Sequence, residues 1–282
     1  MKPPPFHYAR PDDLGEAVRL LAADEDAKAL AGGQSLLPMM NFRLARPSVL
    51  VDIARLPELS GLRREDDVLV IGAGVPQRTA ETAQLVRETC PLLGLALRHV
   101  GHHQIRSRGT VGGSLAHADP AAELGAAAVA LDAEVVVTGT SGRRTVPAAD
   151  LFVAPFQTSL SAEEVLTEVR LPIRDARCGF AEIGTRSGDF AIAGVAAVLH
   201  LADGEVTEAR LVGLGIGGTV QRLPEAEAEL RGHALDDGVI DAAARAAADA
   251  TSPPDDLRAD PRTRRAALRS AVQRALKQVS NA

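Results

Sequence analysis

Leu30-Ala31-Gly32-Gly33-Gln34-Ser35-Leu36 lies between an apolar run at residues 27–31 that reads as a strand and a short helical stretch, with a second strand predicted at residues 49–53. Two adjacent glycines at a strand-to-helix junction permit positive φ and let the backbone approach a ligand closely, and the amides that open the helix suit an anion. With a helix predicted over residues 14–23, this part reads as a compact β-α-β element. The plainer alternative is that Gly32-Gly33 makes only a tight turn.

A second glycine pair stands in Arg106-Ser107-Arg108-Gly109-Thr110-Val111-Gly112-Gly113-Ser114-Leu115-Ala116-His117-Ala118-Asp119-Pro120-Ala121-Ala122-Glu123. Thr110 and Ser114 place hydroxyls on either side of Gly112-Gly113, and Asp119-Pro120 reads as the N-cap and first turn of an alanine-rich helix. Arg106 and Arg108 either neutralise phosphate or are ordinary solvated arginines. Neither segment has the G-x-G-x-x-G spacing of a Rossmann site or the lysine of a phosphate-binding P-loop. The two turns are therefore expected to clamp one long ligand from two sides, with a pyrophosphate as the anion.

The rest of the chain supplies the frame. Residues 68–71 read as a strand after the acidic turn Glu65-Asp66-Asp67, and residues 79–101 as helix broken only at Pro91. A strand at 134–138 turns through Gly139-Thr140-Ser141-Gly142 into 143–146. Residues 165–171, 179–186, 192–201 and 206–216 read as successive antiparallel strands, and helices follow at 224–230, 236–249 and 261–279. The expected units are 1–56, 57–174 and 175–282.

Composition excludes several classes of function. The 282 residues carry a formal net charge of -6 with no basic stripe, and with Trp 0, Tyr 1 and Phe 6 there is no aromatic platform for stacked bases, so nucleic acid is not an expected partner. No apolar run reaches the roughly 20 residues of a membrane span, and residues 1–10 lack the features of a signal peptide, which predicts a cytoplasmic protein. Cys90 and Cys178 form no pairing or cluster motif, so iron–sulfur chemistry has to come from another subunit. His99, His102, His103 and His117 match no metal-ligand spacing and read better as neighbours of a ligand or its entry path. Ser35 and Ser114 stand outside any G-x-S-x-G elbow. Met39-Met40 reads as gap-filling core, and the charged residues 255–277 as a solvated helix face.

The segment from Ala31 through Ala45 (AGGQSLLPMMNFRLA), with Pro47 and Val51-Asp52-Ile53, and the segment from Ile105 through Ser114, with Ala118 through Glu123, together resemble the flavoprotein subunits of the molybdenum hydroxylases, the medium-subunit family of the carbon monoxide and xanthine dehydrogenases. Weaker similarity continues through Glu164 to Val169 and Arg186 to Ala191, so the resemblance covers nearly the whole chain. It implies an α+β fold: a two-subdomain, PCMH-type FAD-binding unit of the vanillyl-alcohol-oxidase-like kind, followed by a C-terminal domain of antiparallel strands and helices.

The resemblance also implies FAD as cofactor, its pyrophosphate held by Ala31, Gly32, Gly33, Gln34, Ser35 and Leu36 and by Thr110, Val111, Gly112, Gly113 and Ser114. Asp119 falls within the matching stretch. Glu123 stands where the family places an acidic FAD contact, and Leu166 where it places an apolar contact to the ring system. Glu182 stands where many members carry a flavin-facing lysine, a departure that leaves any charge stabilisation there to be shown. Phe190, at an expected strand start, is the first choice for an aromatic neighbour of the flavin, with an ordinary core role as the alternative.

The implied partners are a molybdenum-cofactor large subunit and a two-cluster iron–sulfur small subunit, in a heterotrimer that stands alone or dimerises. Electrons leave to NAD or another acceptor, and this chain needs no catalytic acid of its own. The alternatives are a stand-alone FAD oxidoreductase of the same fold and a scaffold that has lost FAD.

Overall fold

In the computed structural model, residues 2–281 are described. Three main sheets follow one another along the described residues, and a fourth, two-stranded sheet joins Phe152–Ala154 to Gln157–Thr158. The first is small and wholly parallel, with the strand Val49–Asp52 between His7–Ala9 and Lys28–Leu30. Its crossover helix, Leu14–Ala22, is capped by Asp13, whose carboxylate accepts from Glu16 N, and buries Ala17, Val18 and Leu21 against Val51 and Ile53.

The second sheet orders its strands Leu62–Glu65, Val68–Gly72, Val165–Pro172, Glu134–Gly139 and Gly142–Pro147, each antiparallel to its neighbour. The strand at 165–172 lies at the centre of this sheet, paired with Val68–Gly72 and Glu134–Gly139, and not next to Arg177–Ile183 as a successive antiparallel series would have it. Its pattern of alternating burial serves two faces, which local sequence cannot assign to a particular sheet.

The third sheet joins Arg177–Ile183, Ala193–Ala202, Glu205–Leu214 and Gln221–Arg222. Ala193–Ala202 is an apolar run because both its faces are covered. Ala196 and Val198 pack with the helices of the middle part, while Val195, Ala197 and Leu199 pack under the helices Pro224–Leu230, Asp237–Ala250 and Pro261–Ser280. The last helix lies so close to the sheet that a Cβ on Gly179 would fall 2.1 Å from the carbonyl oxygen of Ala275.

Three local expectations need correction. Residues 79–101 form not two helices but three, Gln77–Thr82, Gln84–Thr89 and Pro91–Leu97, because Ala83 adopts an extended conformation between the first two. The alanine-rich helix begins at Glu123, not Pro120, with Ala122 at its N-cap. Asp119 instead closes the preceding turn, its Oδ1 accepting from Ala121 N at 2.9 Å. Phe190 stands in a connection, three residues before the strand Ala193–Ala202.

Candidate functional site

The first glycine turn leaves the strand Lys28–Leu30 and enters the helix Leu36–Asn41. Gly33 has φ +72°, a conformation that costs an L side chain strain. Among the described residues, none accepts a hydrogen bond from the backbone amides of residues 31–36. The Gln34 side chain folds back to donate to Gly32 O at 3.2 Å, and exposed Ser35 makes no capping bond. Six consecutive donors without an intrachain partner at a partly exposed bend are groups that an anion could satisfy.

The second turn is built differently. Gly112 and Gly113 lie inside a helix, Val111–His117, that the sequence reading did not expect. Thr110 is its N-cap, and Thr110 Oγ1 accepts from Gly113 N at 3.0 Å. The amides of Val111, Gly112 and Ser114 donate to Val75 O, Ala73 O and Thr110 O. These amides are therefore satisfied within the chain. Among the described residues the Ser114 hydroxyl has no intrachain hydrogen-bond partner, whereas Gly112 serves packing: a Cβ there would fall 2.4 Å from Ala73 Cβ.

Far apart in sequence, the two turns touch. A Cβ on Gly32 would lie 2.2 Å from Arg108 O and 2.8 Å from Gly109 Cα, and one on Gly113 would lie 3.6 Å from Ala31 Cβ. Ala73 links this contact to the central strand, since its amide donates to Thr167 O at 2.9 Å. Leu166, the neighbour of Thr167, is 5% exposed and lies at a register shift in that strand.

The two arginines ahead of the second turn separate in role. Arg106 is buried, with four of its five N–H groups engaged: Nε and Nη2 donate to Glu81 and Nη1 donates to Val100 O and Gly101 O. It holds the loop from the Glu81 side. Arg108 is exposed, and its carbonyl faces Gly32.

Glu123 is 8% exposed at the first turn of its helix, and burial pushes its carboxyl up to about 8. Its own amide and Arg106 oppose that shift, while Glu182 and Asp119 add to it. Glu182 is held by His99, whose Nδ1 lies 3.3 Å from Oε1, and its other oxygen, Oε2, is buried without a partner. His99 also packs its ring on Phe180, centroids 5.1 Å apart. Phe190 is 59% exposed with the Arg258 guanidinium 4.6 Å above its ring. No group of three or more His, Cys, Asp or Glu is arranged to hold a metal ion among the described residues.

The sequence reading missed Gln77 and Ala73. Gln77 is buried under Gly109 with Oε1 unpartnered, and Gly109 O accepts from Gln77 N at 2.8 Å. A glutamine so soon after the Gly72-Ala73-Gly74-Val75 run was the available signal, but nothing local says that it ends up beneath the second turn.

Known proteins supply the class to which these paired glycine turns belong. Residues 4–174 match the FAD binding domain in molybdopterin dehydrogenase, and residues 179–279 match the CO dehydrogenase flavoprotein C-terminal domain. The chain is 41% identical to the nicotine 6-hydroxylase medium subunit of Paenarthrobacter nicotinovorans over 98% of each chain. It superposes with a TM-score of 0.96 on a chain of the carbon monoxide dehydrogenase of Hydrogenophaga pseudoflava, at 39% identity and covering 99% of this chain and 98% of that one. A chain of quinoline 2-oxidoreductase from Pseudomonas putida gives the same TM-score at 34% identity, covering 100% and 99%. This chain belongs to the FAD-binding medium-subunit family of the molybdenum hydroxylases.

Proposed function

We propose that this chain is the electron-transferring subunit of a heterotrimeric molybdenum hydroxylase, alone or dimerised. It takes electrons from a two-cluster iron–sulfur subunit, after substrate oxidation on a molybdenum-cofactor large subunit, and passes them to NAD or another acceptor. The relatives are subunits of dehydrogenases and hydroxylases of this kind. The observation that carries the reading within this chain is the contact between Gly32 and the Arg108 carbonyl, which sets six unpartnered amides beside the second turn.

The residues present fit FAD. The amides of Ala31, Gly32, Gly33, Gln34, Ser35 and Leu36 supply the donors that a diphosphate needs, and Arg108 supplies countercharge. The hydroxyls of Ser35 and Ser114 add donors at the edges. Val111, Gly112 and Gly113, with Thr110 as cap, hold the facing wall in shape. Asp119, Glu123, Leu166, Glu182 and Phe190 are assigned to the remainder of the nucleotide and ring system. Bound FAD supplies two-electron chemistry on one side and single-electron exchange with the iron–sulfur partner on the other. The protein binds and orients it and needs no acid or base of its own for that task.

The cytoplasm is the proposed location; no helix among the described residues is long and apolar enough to cross a membrane. The units 1–56, 57–174 and 175–282 are the working domain boundaries for design of variants.

Purification from the native source tests the reading. The expected result is a yellow protein with an oxidised-flavin absorbance spectrum, accompanied by one larger subunit and one small cysteine-rich subunit. A colourless chain would support a scaffold that has lost FAD, and full dehydrogenase activity of the isolated polypeptide would support the stand-alone oxidoreductase. Either outcome sinks the proposal.

A further inference from the structure

We propose that Gln77 is a positioning residue for FAD: its buried side chain fixes the place of Gly109 and Thr110, and through them the fit between the two glycine turns. The proposal rests on the assignment of FAD to this chain, and it adds a residue that lies outside both turns.

Backbone pairing brings Gln77 to the second turn. Residues 73–77 run antiparallel to residues 109–112, with Gly112 N donating to Ala73 O at 2.9 Å, Val111 N to Val75 O at 3.0 Å and Gln77 N to Gly109 O at 2.8 Å. Pro76 pairs with Thr110 between the last two of these bonds, at a position where the register asks for no donor from its nitrogen. Pro76 is also the N-cap of the helix Gln77–Thr82, so Gln77 begins that helix against the second turn.

The side chain carries the contact further. Gln77 is 4% exposed. Its Nε2 donates to Thr110 O at 3.5 Å, the long limit of a hydrogen bond, and its Oε1 is buried with no donor. A Cβ on Gly109 would lie 2.9 Å from that oxygen, and a Cβ on Gly32 would lie 2.8 Å from Gly109 Cα. Gly109 therefore touches both Gln77 and the first turn, and a change in bulk at residue 77 is passed to the seam between the turns. Thr110 O also accepts from Ser114 N at 3.2 Å, so the same amide holds the carbonyl from which the helix Val111–His117 starts.

Stability alone does not account for a glutamine here. One long hydrogen bond and one unsatisfied buried oxygen are a poor return, and an apolar chain of the same length would leave no side-chain atom unpaired. A departure of this kind beside the turns marks a site where position matters more than stability.

The full-length chain, stripped of flavin, tests the proposal by FAD titration with flavin fluorescence beside thermal melts of the same flavin-free samples. Gln77→Met keeps the length and removes both polar atoms. Its Tm is expected to equal or exceed that of the unmodified chain, while FAD binds about tenfold more weakly. Gln77→Ala, which leaves space under Gly109, and Gly109→Ala, which crowds Oε1, are each expected to weaken binding by a similar factor. The φ of Gly109 lies outside the left-handed region, so its alanine adds no backbone strain. Adding Gly109→Ala to Gln77→Ala is expected to cost little further, since the oxygen it would meet is gone and only Ile105 O, at 3.1 Å, remains close.

Unchanged FAD affinity in Gln77→Met overturns the proposal, as does a loss of affinity that merely follows a loss of Tm, or full additivity of Gln77→Ala and Gly109→Ala. Where Gly109→Ala does not fold, Gln77→Met against the unmodified chain decides alone. Absence of FAD binding by the unmodified chain is a different result, and it refutes the assignment of FAD together with the role given to Gln77.

Discussion

Gly32 sits so close to Arg108 that a single added carbon would lie 2.2 Å from its carbonyl oxygen. The neighbour is backbone, not the end of a flexible side chain, so a clash there cannot be relieved by a rotamer change. The first glycine turn has no Cβ at this point because a second segment of the chain occupies the space.

Gly32→Ala is therefore expected to push the two turns apart. The overpacking cost is about 1–3 kcal/mol, with loss of retained flavin. Gly204→Ala is the control, since Gly204 has φ +84° with nothing within 4 Å of an added Cβ. It should lose about 1–2 kcal/mol through backbone strain yet keep its flavin. Thermal melts and the ratio of flavin to protein absorbance check both, and equal flavin content in the two variants contradicts the role given to the contact.

Thr110→Val removes the acceptor that caps Gly113 N. A loss of about 0.5–2 kcal/mol in stability is expected, with most of it recovered in Thr110→Ser. Denaturant unfolding of the two variants measures the difference.

Arg106 and Arg108 should separate cleanly. Arg106→Gln leaves buried carbonyls and Glu81 short of donors and is expected to cost about 3–5 kcal/mol, while the protein that still folds binds FAD normally. Arg108→Gln, at an exposed site, should change stability by less than about 0.5 kcal/mol and weaken FAD binding. Chemical denaturation beside FAD titration distinguishes them, and the reverse pattern would show the countercharge assigned to the wrong arginine.

Glu123 also predicts how stability varies with pH. Burial raises its folded value to about 8, above the ordinary glutamate value of 4.5, so the folded state keeps a proton that the unfolded chain has already lost. The native state gains relative stability below the unfolded value and loses it progressively as pH rises from there through about 8, by on the order of 1.4 kcal/mol per unit of difference. Glu123→Gln should flatten this decline, seen as a smaller fall in Tm between about pH 5 and pH 9.

Cys90 and Cys178 line one cavity between the middle and C-terminal parts, and burial pushes their thiols up to about 12 and about 11. Thiolate is correspondingly scarce, so iodoacetamide should label neither cysteine in the folded protein and both after unfolding. Mass spectrometry of the alkylated chain gives the answer.

Much of the frame was legible in local pattern. The helix Pro224–Leu230 follows from a proline at its first position, and the last helix from Asp260-Pro261, where Asp260 Oδ1 accepts from Thr263 N. The helix Val111–His117 was not legible, because two adjacent glycines argue against a helix. It forms where Thr110 caps it and where the small glycine surface seats on Ala73. Arg106 looked like a surface arginine because nothing nearby in sequence announces Glu81.

By itself, the sequence determined the places where the backbone is free to bend without side chains, the alternation that makes each strand, and the family to which the two glycine segments belong. These are local properties, set by residue type and spacing. Only the tertiary structure decided that Gly32 abuts Arg108, that the amides of residues 111–114 are consumed while those of the first turn are free, and that His99 pairs with Glu182. Each of these depends on which segments become neighbours when separate apolar faces are buried together, and short-range pattern carries no record of that choice.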